Sequence, residues 1–367
     1  MKSAYLIAGT RLTRFLKLVA RNGISIYPKY LVRFLFLFQN GAWASIFHRK
    51  ENKIYGEKIK NQKLSDNPVI IIGHWRTGST FLHQLLSLDQ NFVTPTVFQA
   101  SIPDSFLTSR KSYEPLMSRM IKGTRPMDQV KLGLDEPLED EYALFRLSVY
   151  SPLEQVIFPK KGGYFLKNYP GFLPKNEKLQ KWKDSLIYFY KKLLIYSPKT
   201  ILIKNPFHSL RIPVLNEIFP NARYVHIIRH PYSVVPSTQR MWDIVGTQNS
   251  MNTHWQKPTI LEVSEVLNDM LNTIENDLNK LPEERQYEIK FEEFEKNPKE
   301  IIKAIYKHFN IDYSNEFDLK LNDFLLSISD YQKNKYTLPE ENKTIINSVL
   351  KSWMTQNNYK YCEIKTK

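Results

Sequence analysis

The chain has 367 residues, of which 42% are hydrophobic, 13% aromatic and 24% charged. That composition excludes a disordered chain and suffices for one large domain, or one domain with a smaller cap. The net charge of +15 calls for an anionic partner: nucleic acid, a membrane surface or a phosphorylated ligand. The lone cysteine, Cys362, excludes an internal disulfide and a cysteine-based metal site, and fits a cytosolic protein.

Residues 1–50 hold nine Lys or Arg and no Asp or Glu, so they carry +9 of the +15. Arg11, Arg14, Lys17 and Arg21 recur at helical spacing, with Leu12, Phe15, Leu16 and Val19 between them. Residues 30–47 are rich in Phe and Leu. Two amphipathic basic helices are expected, broken near 22–28. They either lie in a membrane interface or pack on the main domain with a solvated basic face. No apolar core followed by a small-residue cleavage site opens the chain. The longest charge-free stretch there, 34–47, is too short to span a bilayer.

Residues 51–67 are polar and charged and read as a linker. Pro68-Val69-Ile70-Ile71-Ile72 suits a buried parallel strand, a turn follows, and 79–88 is apolar at helical spacing. Residues 101–175 look irregular, with scattered Pro and an acidic patch at 135–141. Further strands are expected at 200–203, 223–228 and 287–291, and helices at 180–195, 210–219 (interrupted by Pro213), from 232, at 260–280 and at 298–309. Strands alternating with helices imply an α/β fold, a parallel sheet covered by helices. No repeat or low-complexity tract is evident.

The first strand leads into Gly73-His74-Trp75-Arg76-Thr77-Gly78-Ser79-Thr80. This nearly fits the phosphate-loop pattern G-x-x-x-x-G-K-[ST], with Ser79 in the place of the lysine. Such a turn aims backbone N–H groups at a phosphate, and the following helix N-terminus adds its positive end. Without the lysine, Arg76 supplies the charge. A nucleoside-triphosphate enzyme needs that lysine and Mg²⁺ on the next hydroxyl. Arg76 followed by Gly78-Ser79-Thr80 resembles instead the 5′-phosphosulfate loop of sulfotransferases that use 3′-phosphoadenosine-5′-phosphosulfate (PAPS).

Arg229 closes the strand at 223–228, and Ser237 lies eight residues later on the next helix. Arg-x-Pro-x-x-x-x-x-Ser after a strand resembles the 3′-phosphate segment of the same superfamily. A guanidinium fork plus a hydroxyl suits that group, and Pro231 shapes the turn.

Across about residues 65–360 the chain resembles the bacterial-type sulfotransferase branch. The loop runs on into Phe81-Leu82-His83-Gln84-Leu85-Leu86. Arg125-Pro126-Met127-Asp128 leads to Glu136-Pro137 and Glu139-Asp140-Glu141-Tyr142-Ala143-Leu144. Ile203-Lys204-Asn205-Pro206-Phe207-His208 precedes Ile218-Phe219-Pro220. Phe291-Glu292-Glu293-Phe294 with Asn297-Pro298, and Tyr336-Thr337-Leu338-Pro339, complete the match.

The resemblance implies a P-loop NTPase-like sulfotransferase domain at 65–360, a helical extension at 1–50 and a substrate-capping insertion at 101–175. It implies sulfuryl transfer from PAPS to a hydroxyl-bearing acceptor, without a metal. Trp75, Arg76, Thr77, Gly78, Ser79, Thr80, Arg229 and Ser237 would hold the donor. The Arg-Lys-Gly-rich C-terminal loop of the animal enzymes is missing, and Lys333 and Lys335 stand in for its charge.

In the expected chemistry Arg76 and Thr80 steady the leaving phosphate, and Lys204 reaches the transferring group. The general base is sought among Glu139, Asp140 and Glu141, His208 and His83. Two rivals stay open: a phosphotransferase on the same fold, opposed by Ser79, and a non-enzymatic membrane-surface protein, which leaves both phosphate segments without a role. No zinc or RNA-binding motif supports a nucleic-acid partner. The expected location is cytoplasmic, with peripheral contact at the inner membrane surface through 1–50.

Overall fold

The computed structural model describes residues 6–23, 30–121, 123, 133–160, 164–168, 172–328 and 338–362. Residues 125–128, Lys333, Lys335 and 336–337, singled out above, lie outside the described residues.

The chain opens with helices α1 (Leu12–Asn22) and α2 (Leu31–Asn61). Strand β1 (Val69–Ile72) and helix α3 (Ser79–Leu86) flank the glycine-containing loop. Then come β2 (Phe92–Val93), α4 (Val97–Ser101), α5 (Arg110–Met120), α6 (Glu141–Ser148), α7 (Leu153–Ile157) and α8 (Glu177–Leu194). β3 (Thr200–Lys204) leads through a 3₁₀ turn at Pro206–Leu210 to α9 (Ile212–Ile218). β4 (Arg223–Ile228), α10 (Pro231–Asn249), α11 (Ile260–Leu278) and β5 (Gln286–Lys290) follow. The closing helices are α12 (Phe291–Lys296), α13 (Pro298–His308), α14 (Asn315–Ser327) and α15 (Glu340–Gln356).

The five strands form one parallel sheet in the order β2-β3-β1-β4-β5. All four residues of β1 are buried, as a β-branched run covered on both faces should be. The chain moves from β1 to one side for β2 and β3, then crosses to the other for β4 and β5. The carboxyl ends of β1, β3 and β4 therefore meet at a topological switch point, where open α/β sheets bind ligands. They carry the loop at 73–80, Lys204 and Arg229.

Three expectations need correction. Residues 51–61 are not linker: α2 continues through them to Asn61. Their Glu and Lys are strong helix formers, and Glu51 is buried in an ion pair with Lys192 of α8. The described residues of 101–175 are not irregular throughout, but hold four short helices or parts of helices, α4 to α7. Packing rather than periodicity stabilises segments this short. The helix expected at 210–219 begins as the 3₁₀ turn and resumes at Ile212 with Pro213 in its first turn, where a proline costs nothing.

The N-terminal helices are part of the domain core. Phe15, Leu18, Val19 and Leu37 share one apolar cluster with Trp75, Trp242 and Ile346. Arg14 and Arg11 reach the buried Asp104 at 2.6 and 3.3 Å, and Arg21 reaches Glu154 at 2.5 Å. α1 begins so close to α2 that a Cβ on Gly41 would sit 3.1 Å from the Leu12 Cα and the Thr10 carbonyl oxygen.

Candidate active site

Two glycines let the loop after β1 pack closely against its neighbours. Gly73 has φ 140°, and a Cβ there would lie 2.5 Å from the Ile227 carbonyl oxygen. Gly78 has φ 98°, and a Cβ there would lie 2.1 Å from the Phe291 ring. Arg76, between them, holds φ 70°, a left-handed conformation that costs a non-glycine residue energy and recurs at ligand clamps. Gly73 N–H donates to Ser209 Oγ at 2.9 Å, and Thr77 Oγ1 donates to the His74 carbonyl at 2.8 Å. The first turn of α3 follows at once, with the N–H groups that no helix satisfies internally.

The two segments singled out for phosphate binding, some 150 residues apart in sequence, touch. Arg76 Nε donates to Ser237 Oγ at 2.9 Å, and Arg229 Nη1 donates to the Arg76 carbonyl at 3.2 Å. Arg229 lies over the Phe291 ring at 4.3 Å, the same ring that faces Gly78. Glu292, the next residue, accepts the His230 N–H at 2.9 Å and the Tyr359 hydroxyl at 3.1 Å. Burial lowers the Arg229 guanidinium from its ordinary value, with Glu292 and Glu295 opposing. Phe291 is a residue to which sequence reasoning gave no role; its only signal was its place in a family-like motif.

Lys204, at the end of β3, pairs with Glu139 at 2.5 Å. Lys204 is 4% exposed and Glu139 15%. His83, from α3, lies near Lys204; its Nε2 is 2.6 Å from Thr94 Oγ1. Burial, then Lys204, lowers its pKa to about 3, against an opposing pull from Asp140. Burial likewise lowers His74 to about 4.

Asp140, Glu141 and His208 belong to a different arrangement. Asp140 accepts Asn205 Nδ2 at 2.8 Å on one oxygen, and the Tyr190 hydroxyl at 2.8 Å and His208 Nε2 at 2.9 Å on the other. Glu141 accepts Arg211 at 2.5 and 3.1 Å, Asn205 Nδ2 at 3.0 Å and the Ser151 hydroxyl at 2.5 Å. Arg211 also donates to the Phe172 carbonyl, and His208 and Arg211 are both fully buried. Burial alone would push the Asp140 carboxyl up; His208 and the hydrogen-bond donors outweigh it and hold it below its usual value.

Beside the loop, Trp75 packs edge-on against Phe207 and Trp242, and against Phe172, with ring centroids 4.8 to 5.9 Å apart. The structure thus gathers Arg76, Thr77, Gly78, Ser79, Thr80, Lys204, Glu139, Arg229 and Ser237 at one sheet edge. It sets Asp140, Glu141 and His208 behind that edge.

The profile of the Sulfotransferase family matches residues 68–315. The omega-hydroxy-beta-dihydromenaquinone-9 sulfotransferases Stf3 of Mycobacterium bovis and Mycobacterium tuberculosis are each 28% identical over 355 residues. The alignment covers 94% of this chain and 88% of theirs. Among solved structures, the sulfotransferase STF9 of Mycobacterium avium superposes with a TM-score of 0.67 at 15% identity, covering 98% of this chain and 99% of that one. STF1 of Mycobacterium tuberculosis gives 0.60 at 14% identity, covering 93% and 88%.

Proposed function

This chain belongs to the sulfotransferase family, and from that premise we propose that its sheet edge holds PAPS across the Arg76–Ser237–Arg229 contact, with Glu139 as general base. The observation that carries the reading is the hydrogen bond from Arg76 to Ser237: the 5′- and 3′-phosphate segments converge on one place.

The residues suit the donor. The amides at the start of α3 and Arg76 offer N–H donors and charge to a phosphosulfate. Arg229 and Ser237 offer a fork and a hydroxyl to a 3′-phosphate. When bound, the donor supplies an electrophilic sulfuryl group and a phosphate leaving group. Lys204 lies next to that end of the loop and neutralises charge there.

Glu139 takes the proton of the acceptor hydroxyl because its neighbours have no capacity left. A base must come within hydrogen-bond reach of the proton it removes. Asp140, Glu141 and His208 are buried and spend their atoms on one another, Tyr190, Asn205 and Arg211. His83 is buried, and its Nε2 is engaged with Thr94 Oγ1. Glu139 is the candidate that retains exposure, and it stands beside Lys204.

The acceptor is an apolar, hydroxyl-bearing lipid. The named relatives act on omega-hydroxy-beta-dihydromenaquinone-9. Peripheral membrane contact through residues 1–50 fits such an acceptor.

Thermal unfolding with adenosine 3′,5′-bisphosphate, adenosine 5′-monophosphate or Mg·ATP tests the donor site. A ligand at a hundred times its Kd stabilises the fold by about 2.7 kcal/mol. The bisphosphate alone should raise Tm, and Arg229→Ala should abolish the rise. Stabilisation by Mg·ATP and not by the bisphosphate would replace this reading with a phosphotransferase.

A further inference from the structure

Helix α2 has two faces of different character. Leu37, Gly41, Ala44 and Glu51 are buried against the domain. On the other side Leu31, Val32, Leu35, Phe38, Trp43 and Ile46 are 42 to 76% exposed. At 100° per residue these six fall in one arc of about 140°, along about 22 Å of helix. Among the described residues nothing covers them, although a soluble surface normally scatters its large apolar residues.

The same arc continues into Arg49, Lys50 and Lys53, all exposed. Glu57 is the only exposed acid on α2, and it lies beyond them between Lys53 and Lys58. On α1, exposed Leu16 stands beside exposed Lys17. Apolar side chains followed by a block of cations on one helix face match the layering of a lipid interface. Acyl chains take the first part, and anionic headgroups the second.

The geometry points to this face of α2 as a docking surface for an anionic lipid bilayer. Its apolar half enters the acyl boundary, and Arg49, Lys50 and Lys53 rest among the headgroups. No helix of the described residues is long and apolar enough to cross a membrane, so the contact is peripheral. A second copy of the chain fits the face less well: a parallel two-fold contact would set the cations against each other, and an antiparallel one would set them against the apolar half. The inference deepens the reading of a membrane-borne acceptor: the enzyme works on a lipid hydroxyl while resting on the sheet that holds it.

The test is co-sedimentation of the full chain with vesicles of phosphatidylcholine, with and without phosphatidylglycerol, at low and high salt. The chain should pellet with the anionic vesicles only, and salt should release it. Replacing Arg49, Lys50 and Lys53 together by Gln should lower partitioning about a hundredfold. Leu35→Glu should lower it as well. Brominated lipid should quench tryptophan fluorescence in the wild type and less in Trp43→Phe. Every variant is at an exposed position and should keep its thermal stabilisation by adenosine 3′,5′-bisphosphate, which separates a failure here from a failure of the donor site. Binding to neutral vesicles as strong as to anionic ones, or wild-type binding by Leu35→Glu, would overturn the inference. So would a concentration-dependent dimer that Leu35→Glu dissolves without any vesicle binding; the face would then be a self-association surface.

Discussion

Two charged clusters lie a few residues apart at the same end of the sheet. In the buried one, Asp140, Glu141, Asn205, His208 and Arg211 use one another up: each carboxylate oxygen has at least one donor, and the cluster is shut away from solvent. In the other, Lys204 and Glu139 pair at the carboxyl end of β3, where Glu139 keeps part of its surface open. Similar residue types serve different ends. A saturated network holds β3, α6 and α9 in register; a group that acts on a substrate must keep an unsaturated side.

The sharpest way to break the comparison is to remove one charge from each cluster. Glu141→Gln leaves the Arg211 guanidinium buried without its counter-charge, and unfolding stability should fall by about 3–5 kcal/mol in urea titration. Glu139→Gln also strips Lys204 of its partner, but at a more open edge: it should cost less stability than Glu141→Gln and lower kcat by about 10²–10⁴-fold, as loss of a general base does. If Glu139→Gln unfolds the protein, or Glu141→Gln spares the fold and stops turnover, the assignments are exchanged.

Acid provides a second test. His74 and His83 titrate near 4 and near 3 when folded, and at the ordinary histidine value of 6.5 when unfolded. The unfolded chain therefore binds more protons below pH 6.5. Their stabilisation is complete above that value and is lost as pH falls toward 4. Each histidine should contribute about 1.4 kcal/mol per pH unit in that window. His83→Gln should flatten the slope of stability against pH by one proton's share; an unchanged slope would mean that His83 is protonated in the fold.

The smallest effect concerns Phe291. Phe291→Leu keeps an apolar wall opposite Gly78 but removes the ring beneath Arg229, an interaction of about 1 kcal/mol. Bisphosphate affinity should weaken about fivefold by calorimetry, with kcat little changed. Unaltered affinity would show that Arg229 is positioned by its bond to the Arg76 carbonyl alone.

What could be read beforehand was chemistry at short range. The strand, loop and helix at 69–86 and the Arg229-to-Ser237 spacing carry their requirements within a few neighbours, and both stand where they were expected. The saturation of Asp140 and Glu141 was invisible because their partners lie 50 to 70 residues away, at Tyr190, Asn205 and Arg211. Residues 51–61 were misread because polarity alone does not separate a linker from a solvated helix, and the burial of Glu51 depends on Lys192 of a distant helix. Phe291 gained its role only through the closeness of Gly78 and Arg229, which no local pattern encodes.

The contacts of the N-terminal helices have a consequence for how the protein is made. α1 rests first on α2, with Phe15 against Phe34, but Arg14 needs Asp104, Arg21 needs Glu154, and the Leu6 N–H needs Asn249, 243 residues later. Domains usually fold from the N-terminus as they are synthesised; here the segment at 6–22 is tied down in stages, and its last tie waits for α10. A chain truncated before α10 would leave that basic, greasy segment only partly held, a ready client for chaperones.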